Sequence, residues 1–319
     1  MTTTNPAVRA GACTHVGKLR AMNEDSYTVT DRVFAVADGM GGHLAGEVAS
    51  AMAIRRVGEL THTPVVTDDD VAQAVLGANF DILALSEQDS SHRGMGTTLT
   101  AVVLLGTTSA PEQLAVVNVG DSRTYRLRSG RLTQISVDHS YVHELVLLGH
   151  ITPDQARVHP QRNIVTRALG IEPGVGVDIW TQPLVRGDRY LMCSDGLVDE
   201  VTDAEIAKVL VTAADPNAAA HQLVDLANAA GGRDNITVVV VDVVAGLDPT
   251  GTIENLDYHT VQADLDDTSV TRTQEIPATP RSAFEEDHSS GSSRVVVDGV
   301  DATPSGELEP MVRPAPADV

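Results

Sequence analysis

Four aspartates stand at the end of an apolar run, next to a Gly or Asn turn. They lie in Val36-Ala37-Asp38-Gly39-Met40-Gly41-Gly42-His43 and in Val119-Gly120-Asp121-Ser122-Arg123. The other two lie in Met192-Cys193-Ser194-Asp195-Gly196-Leu197-Val198-Asp199 and in Gly231-Gly232-Arg233-Asp234-Asn235-Ile236-Thr237. Mg²⁺ and Mn²⁺ are hard cations that take oxygen ligands, and several carboxylates plus a backbone carbonyl and waters complete their shells. Carboxylates gathered closely repel one another unless a cation neutralises them. A single Asp-Gly pair is an ordinary turn. Four acidic turns after apolar strands, whose ends meet at one sheet edge, mark a cleft for divalent cations.

These motifs, in this order, resemble the type 2C, metal-dependent family of protein phosphatases, and the bacterial branch above all. The resemblance opens at Gly17-Lys18-Leu19-Arg20-Ala21-Met22-Asn23-Glu24-Asp25 and passes through the Asp38 motif. It continues through Gly94-Met95-Gly96-Thr97-Thr98 and the Asp121 and Asp195 motifs, and closes on Gly232-Arg233-Asp234-Asn235-Ile236-Thr237. It covers about Ala10 to Val244.

The resemblance implies an α+β fold, a four-layer α-β-β-α sandwich of two antiparallel sheets flanked by helices. It implies two tightly bound Mn²⁺ or Mg²⁺ ions and a third, weaker one. Asp38 would bridge the pair, and the Gly39 carbonyl would bind one member. Asp195 and Asp234 would complete the other shell. Glu24 and Asp25 would act in or just beyond those shells. Asp121 and Asp195 would form the weaker site, with Asp199 nearby, and Arg20 would grip the substrate phosphate. The implied reaction is hydrolysis of phosphoserine and phosphothreonine on proteins by a two-metal-activated water, reversing bacterial Ser/Thr kinases. Arginine suits the phosphate because its planar fork meets two oxygens at once. The rival reading is a phosphoprotein-binding regulator of the same fold with weak catalysis. Every acidic position is intact, which separates the two readings.

Other features read differently. Gly39, Gly41 and Gly42 do not space as a dinucleotide-binding G-x-G-x-x-G. His43 is a candidate general acid, or the first residue of a helix. Related eukaryotic enzymes carry a histidine directly after the Asp-Gly, where this chain has Met40, so a metal-bound water is the alternative donor. Arg123 is expected to support the fold. His139, His143, His150 and His159 fit no compact zinc pattern and are expected on a flap beside the site. Cys13 and Cys193 sit in apolar runs and read as buried thiols.

The elements that must carry these residues follow from periodicity. Strands are expected at Ser26–Thr30, Arg32–Ala37, Thr97–Leu105, Gln113–Val119, Ser122–Leu127, Leu132–Ile135, Val175–Thr181, Arg189–Cys193 and Ile236–Val244. Helices are expected at Gly46–Leu60, Asp68–Ser86, Asp203–Val211 and Pro216–Ala230, with Asp68, Asp69 or Asp70 capping the second. Asp138 to Gly170 reads as irregular, with short helical pieces. Strands clustered between helix pairs suit antiparallel sheets, not a simple alternating parallel one.

The 319 residues divide into a catalytic domain over 1–245 and an acidic tail over 246–319. The tail holds 15 acidic and 4 basic residues, half of the formal charge of −22, and reads as disordered. Its Asp266-Asp267-Thr268-Ser269-Val270-Thr271-Arg272-Thr273 stretch would suit phosphorylation and capture by phosphothreonine-binding modules or kinases. No basic stripe argues for nucleic acid. No apolar run reaches the roughly 18 to 20 residues of a membrane span, and no signal peptide is read. The expected setting is a cytoplasmic monomer acting on phosphorylated proteins.

Overall fold

The computed structural model describes residues 5–41, 45–249, 257–263 and 270–273. Residues Met1–Phe284 and Glu285–Val319 form separate units, and every described residue belongs to the first.

The strands in chain order are β1 (Val8–His15), β2 (Ser26–Val29), β3 (Val33–Ala37), β4 (Gly39–Met40) and β5 (Val65–Val66). Next come β6 (Gly96–Thr97), β7 (Leu99–Thr107), β8 (Ala110–Val119), β9 (Arg123–Arg128) and β10 (Arg131–Gln134). Then follow β11 (Gly176–Pro183), β12 (Arg189–Cys193), β13 (Ile236–Val243), β14 (Asp257–Ala263) and β15 (Val270–Thr273). One sheet runs β1-β13-β12-β9-β10. The other runs β15-β14-β11-β8-β7-β3-β2, with β5 also on β7. The strand pairs within both sheets are antiparallel.

Helices α1 (Gly46–Gly58) and α2 (Asp68–Gln88) cover the larger sheet. The short α3 (Tyr141–Leu147) and α4 (Pro153–Arg157) fall in the stretch expected to be irregular. The one-turn α5 (Asp195–Val198), α6 (Asp203–Thr212) and α7 (Pro216–Ala230) pack on the smaller sheet. The alternation of side chains fixes the layers. Val33, Ala35 and Ala37 of β3 face α1 and α2, while Phe34 and Val36 face the other sheet. On β13, Val238 and Val240 face α6 and α7, while Val239 and Val241 meet the opposite sheet. Both faces of these strands are buried, so they read as unbroken apolar runs. The four-layer α-β-β-α sandwich expected from the sequence is the fold.

Three local expectations change. The N-cap of α2 is Thr67, whose hydroxyl accepts the Asp70 N–H while the Asp70 carboxylate accepts the Thr67 N–H. Asp70 is the third helical residue of a capping box, not the cap itself. The sequence reading has no strand at Val8–His15, yet β1 pairs with β13 along its whole length. Gly11 and the polar residues of this edge strand break its alternation.

The third change concerns the tail. Asp257–Ala263 adds to the free edge of β11, against the expectation of disorder from residue 246 on. Val261 is fully buried, and the Tyr258 ring stacks on Trp180 at 5.1 Å between centroids. Two anchors and a row of main-chain bonds offset the ordering cost that low apolar content was expected to leave unmet. The expected phosphorylation stretch through Ser269 and everything past Thr273 lie outside the described residues.

Candidate active site

Antiparallel pairing brings the acidic turns to one edge. The C-terminal ends of β3, β8 and β12 deliver Asp38, Asp121 and Asp195. The N-terminal ends of β2 and β13 lie beside them and deliver Asp25 and Asp234, because Ser26 pairs with Ala37 and Val238 with Cys193. The last residue of β1, His15, pairs with Ile236, so the loop carrying Arg20 and Glu24 reaches the same edge.

The carboxylates feel one another strongly. Burial first, then the charges of Asp25, Asp195, Asp121 and Asp234, hold the Asp38 carboxyl well above the usual range. Burial first, then Asp121, Asp199, Asp234 and Asp25, does the same to Asp195. Burial, with the charges of Asp138 and Asp199, pushes Asp121 up to about 7 despite Arg123. Burial pushes Asp25 up to about 6, although bonds from Thr237 and Ser194 pull the other way. Oδ1 of Asp25 and Oδ1 of Asp195 are buried without a hydrogen-bond partner. A cluster of repelling carboxylates with open acceptor oxygens fits divalent cations. Among the described residues no three His, Cys, Asp or Glu side chains close on one ion by themselves.

The backbone around Asp38 is held by Thr98. Its Oγ1 accepts the Asp38 N–H at 3.0 Å, and its N–H donates to the Asp38 carbonyl at 2.9 Å. The Thr98 and Ser122 hydroxyls are 2.7 Å apart, which ties the Asp38 turn to the Asp121 turn. Asn235 holds the Arg20 loop. Its Nδ2 donates to the carbonyls of Val16 and Met22, and its Oδ1 accepts the Glu24 N–H at 2.8 Å. Ser194 donates to Asp25 Oδ2 at 2.8 Å. Thr98 and Asn235 lay inside the motifs already quoted, but their partners are remote in sequence, so spacing alone carried no sign of these roles.

Arg20 Nη2 lies 2.7 Å from Asp234 Oδ2, with the guanidinium side chain 48% exposed at the mouth. Asp199 Oδ2 is 3.4 Å from Nε of Arg162, a residue the sequence reading passed over. Arg123 forks onto Asp138 and reaches the Tyr125 hydroxyl, a supporting role as expected. His139 departs from expectation: it is buried under the site, not displayed on a flap. Its Nδ1 accepts the Gly120 N–H at 3.0 Å, and its Nε2 bonds Asp178 Oδ2 at 3.0 Å. Cys193 is buried, and burial pushes its thiol up to about 12, so it is inert at neutral pH. His43 lies outside the described residues.

The raised carboxyls have a consequence for the metal-free protein. Their ordinary value is 3.8, and Asp25 and Asp121 titrate near 6 and 7 when folded. The folded state therefore binds these protons more tightly than the unfolded chain. The stability they contribute is complete at low pH and is lost as pH rises through those two values. Chelator-treated protein is expected to melt higher at about pH 5.5 than at about pH 8, and Mn²⁺ at the higher pH should restore the difference. Calorimetry in both buffers checks this. A metal-free melting point that rises with pH over that window would contradict the buried-carboxylate account.

The two sheets bring five carboxylates to one edge, with a guanidinium at its mouth, an arrangement fit for divalent cations. The chain belongs to the protein phosphatase 2C family, whose model matches residues 19–228. Serine/threonine protein phosphatase PstP of Mycobacterium tuberculosis is 43% identical over 251 residues, or 74% of this chain and 45% of that protein. The chain therefore spans about half the length of that relative. The Listeria monocytogenes serine/threonine phosphatase stp is 38% identical over 71% of this chain and 92% of its own length. The Mycobacterium tuberculosis PstP/Ppp crystal structure superimposes with a TM-score of 0.70 at 43% identity, covering 75% of this chain and all of that one. A PstP catalytic domain in complex with two manganese ions matches at 41% identity and a TM-score of 0.69, over 75% of this chain and 99% of that one.

Proposed function

We propose that this protein hydrolyses phosphoserine and phosphothreonine on other proteins with the help of bound Mn²⁺ or Mg²⁺. The observation that carries this reading is the buried carboxylate cluster, with the open oxygens of Asp25 and Asp195 inside it. Asp38, the Gly39 carbonyl, Asp195 and Asp234 would hold the cation pair. Asp121 with Asp195 would hold a weaker third, and Glu24, Asp25 and Asp199 would border them. Such cations, when bound, activate water for in-line attack and offset charge on the phosphoryl group.

The remaining work falls to the chain itself. Asp234 holds Arg20 at the rim, where its fork can meet two phosphate oxygens. Thr98 holds the backbone of Asp38, and Ser194 holds the Asp25 carboxylate. The same reading has the protein working as a cytoplasmic monomer against Ser/Thr kinases. Two free cysteines support a reducing compartment. Among the described residues no helix is long and apolar enough to cross a membrane.

The test is phosphate release from a phosphothreonine peptide and from a phosphotyrosine peptide, with Mn²⁺ and with a chelator. Release from phosphothreonine only with metal is expected. Metal-independent release, or none under either condition, would refute the proposal. Arg20→Ala is expected to lower kcat/KM by about 2 to 4 kcal/mol through loss of a charge-assisted phosphate contact. A variant with unchanged kcat/KM removes Arg20 from the phosphate.

A further inference from the structure

One strand past the family-matched residues 19–228 reaches under the active site. On β14, Thr260 pairs in register with Asp178 of β11, which pairs in turn with Asn118 of β8. The three side chains form a polar row across one face of the sheet. Thr260 Oγ1 donates to Asp178 Oδ1 at 2.8 Å. Arg167 Nη1 lies 3.0 Å from the same oxygen. The other carboxylate oxygen, Oδ2, meets Nε2 of His139. His139 then clasps Gly120 twice. Its Nδ1 accepts the Gly120 N–H, and its own N–H donates to the Gly120 carbonyl at 3.0 Å. The Asn118 amide donates to that carbonyl as well, at 3.0 Å.

Gly120 immediately precedes Asp121, and its backbone is demanding. Its φ is +103°, and a Cβ there would lie 2.6 Å from Thr98 Cγ2. Such a turn keeps its shape only while its N–H and carbonyl are held. An Nδ1 that accepts must be unprotonated, so the ring proton sits on Nε2, where Asp178 Oδ2 receives it at 3.0 Å and Arg167 Nη1 crowds the same nitrogen at 2.8 Å. Asp178 can serve both His139 and Arg167 only if its plane is fixed, and the Thr260 hydroxyl fixes it from the far side. We propose that Thr260 is a positioning residue for Asp121. Through Asp178 and His139 it sets the turn that aims this carboxylate, and so tunes the weaker cation site from beyond the family domain. The cation half of this inference rests on the functional reading given above. The half that concerns the turn does not.

The test uses the full chain with Thr260→Val, which keeps the shape and removes the hydroxyl, and Thr260→Ser, which restores it. Amide exchange over residues 118–123 reads the turn. The Mn²⁺ concentration for half-maximal phosphopeptide turnover reads the cation site. In Thr260→Val both are expected to worsen by about three- to tenfold, the scale of one lost hydrogen bond. Thr260→Ser should restore both. Serine favours strands less than valine does, so rescue by serine separates the hydroxyl from the mere seating of β14. Unchanged exchange over 118–123 in the valine variant overturns the proposal, as does a serine variant no better than valine. Faster exchange without any change in Mn²⁺ dependence upholds the relay to Gly120 and overturns Asp121 as a cation ligand.

Discussion

Asp38→Asn is expected to lower Mn²⁺-dependent phosphopeptide turnover by about a thousandfold or more, because a neutral amide bridges two cations poorly. The fold should survive the change. The bonds that hold this turn run from the Asp38 N–H and carbonyl to Thr98 and Thr97, and none of them uses the carboxylate. The substitution also removes one of the charges that Asp25 and Asp195 oppose. The metal-free variant should therefore melt no lower than the metal-free parent at about pH 8, and should gain little from added Mn²⁺. Activity assays and calorimetry on one preparation separate the two effects. Near-normal turnover would end the two-metal assignment. An inactive variant that still gains the parent's full stabilisation from Mn²⁺ would move the bridging role away from Asp38.

Gly39→Ala should be nearly as damaging, by a different route. A Cβ at residue 39 would lie 2.2 Å from the Gly46 carbonyl oxygen and 2.5 Å from that of Glu24. Both are backbone atoms, so no rotamer relieves the clash. Either the start of α1 or the loop carrying Glu24 and Asp25 must move. A stability loss of about 2 to 4 kcal/mol is expected by urea titration, together with loss of metal response. Gly58→Ala is the control. It stands at the end of α1 with open space where its Cβ would go. Its effect should be neutral or stabilising by up to about 1 kcal/mol. Equal losses in the two variants would show that the close approach at Gly39 is not what constrains the turn.

Much of this was readable from residue order. The apolar runs before Asp38, Asp121 and Asp195 marked strands, and the Gly after Asp38 and Asp195 marked turns, because those signals are local. The depth of Asp25 was less readable. The sequence places it in or just beyond the cation shells, and its burial rests on Ser194 and Thr237, which come from the opposite end of the chain. His139 was misjudged for the same reason: its neighbours in sequence suggest a surface stretch, and its partners Gly120 and Asp178 do not adjoin it. β14 reads as linker because its large apolar residues are just Tyr258 and Val261, and a polar strand of that kind has the composition of a linker. Thr67 caps α2 because its hydroxyl reaches the Asp70 N–H, while the three acids after it carry the same local cap signal.

The pairing of β1 with β13 joins strands that flank the family-matched residues 19–228, and Arg20 meets Asp234 across 214 residues of chain. A ribosome delivers these partners in order, the first long before the last. Until β13 has emerged, the smaller sheet lacks the strand that links β1 to β12. An unfinished chain therefore has Asp38 and Asp121 but no frame to hold them against Asp195 and Asp234. On the proposed function, a chain that stops before residue 243 lacks the strand that seats Asp234 and cannot complete the carboxylate cluster.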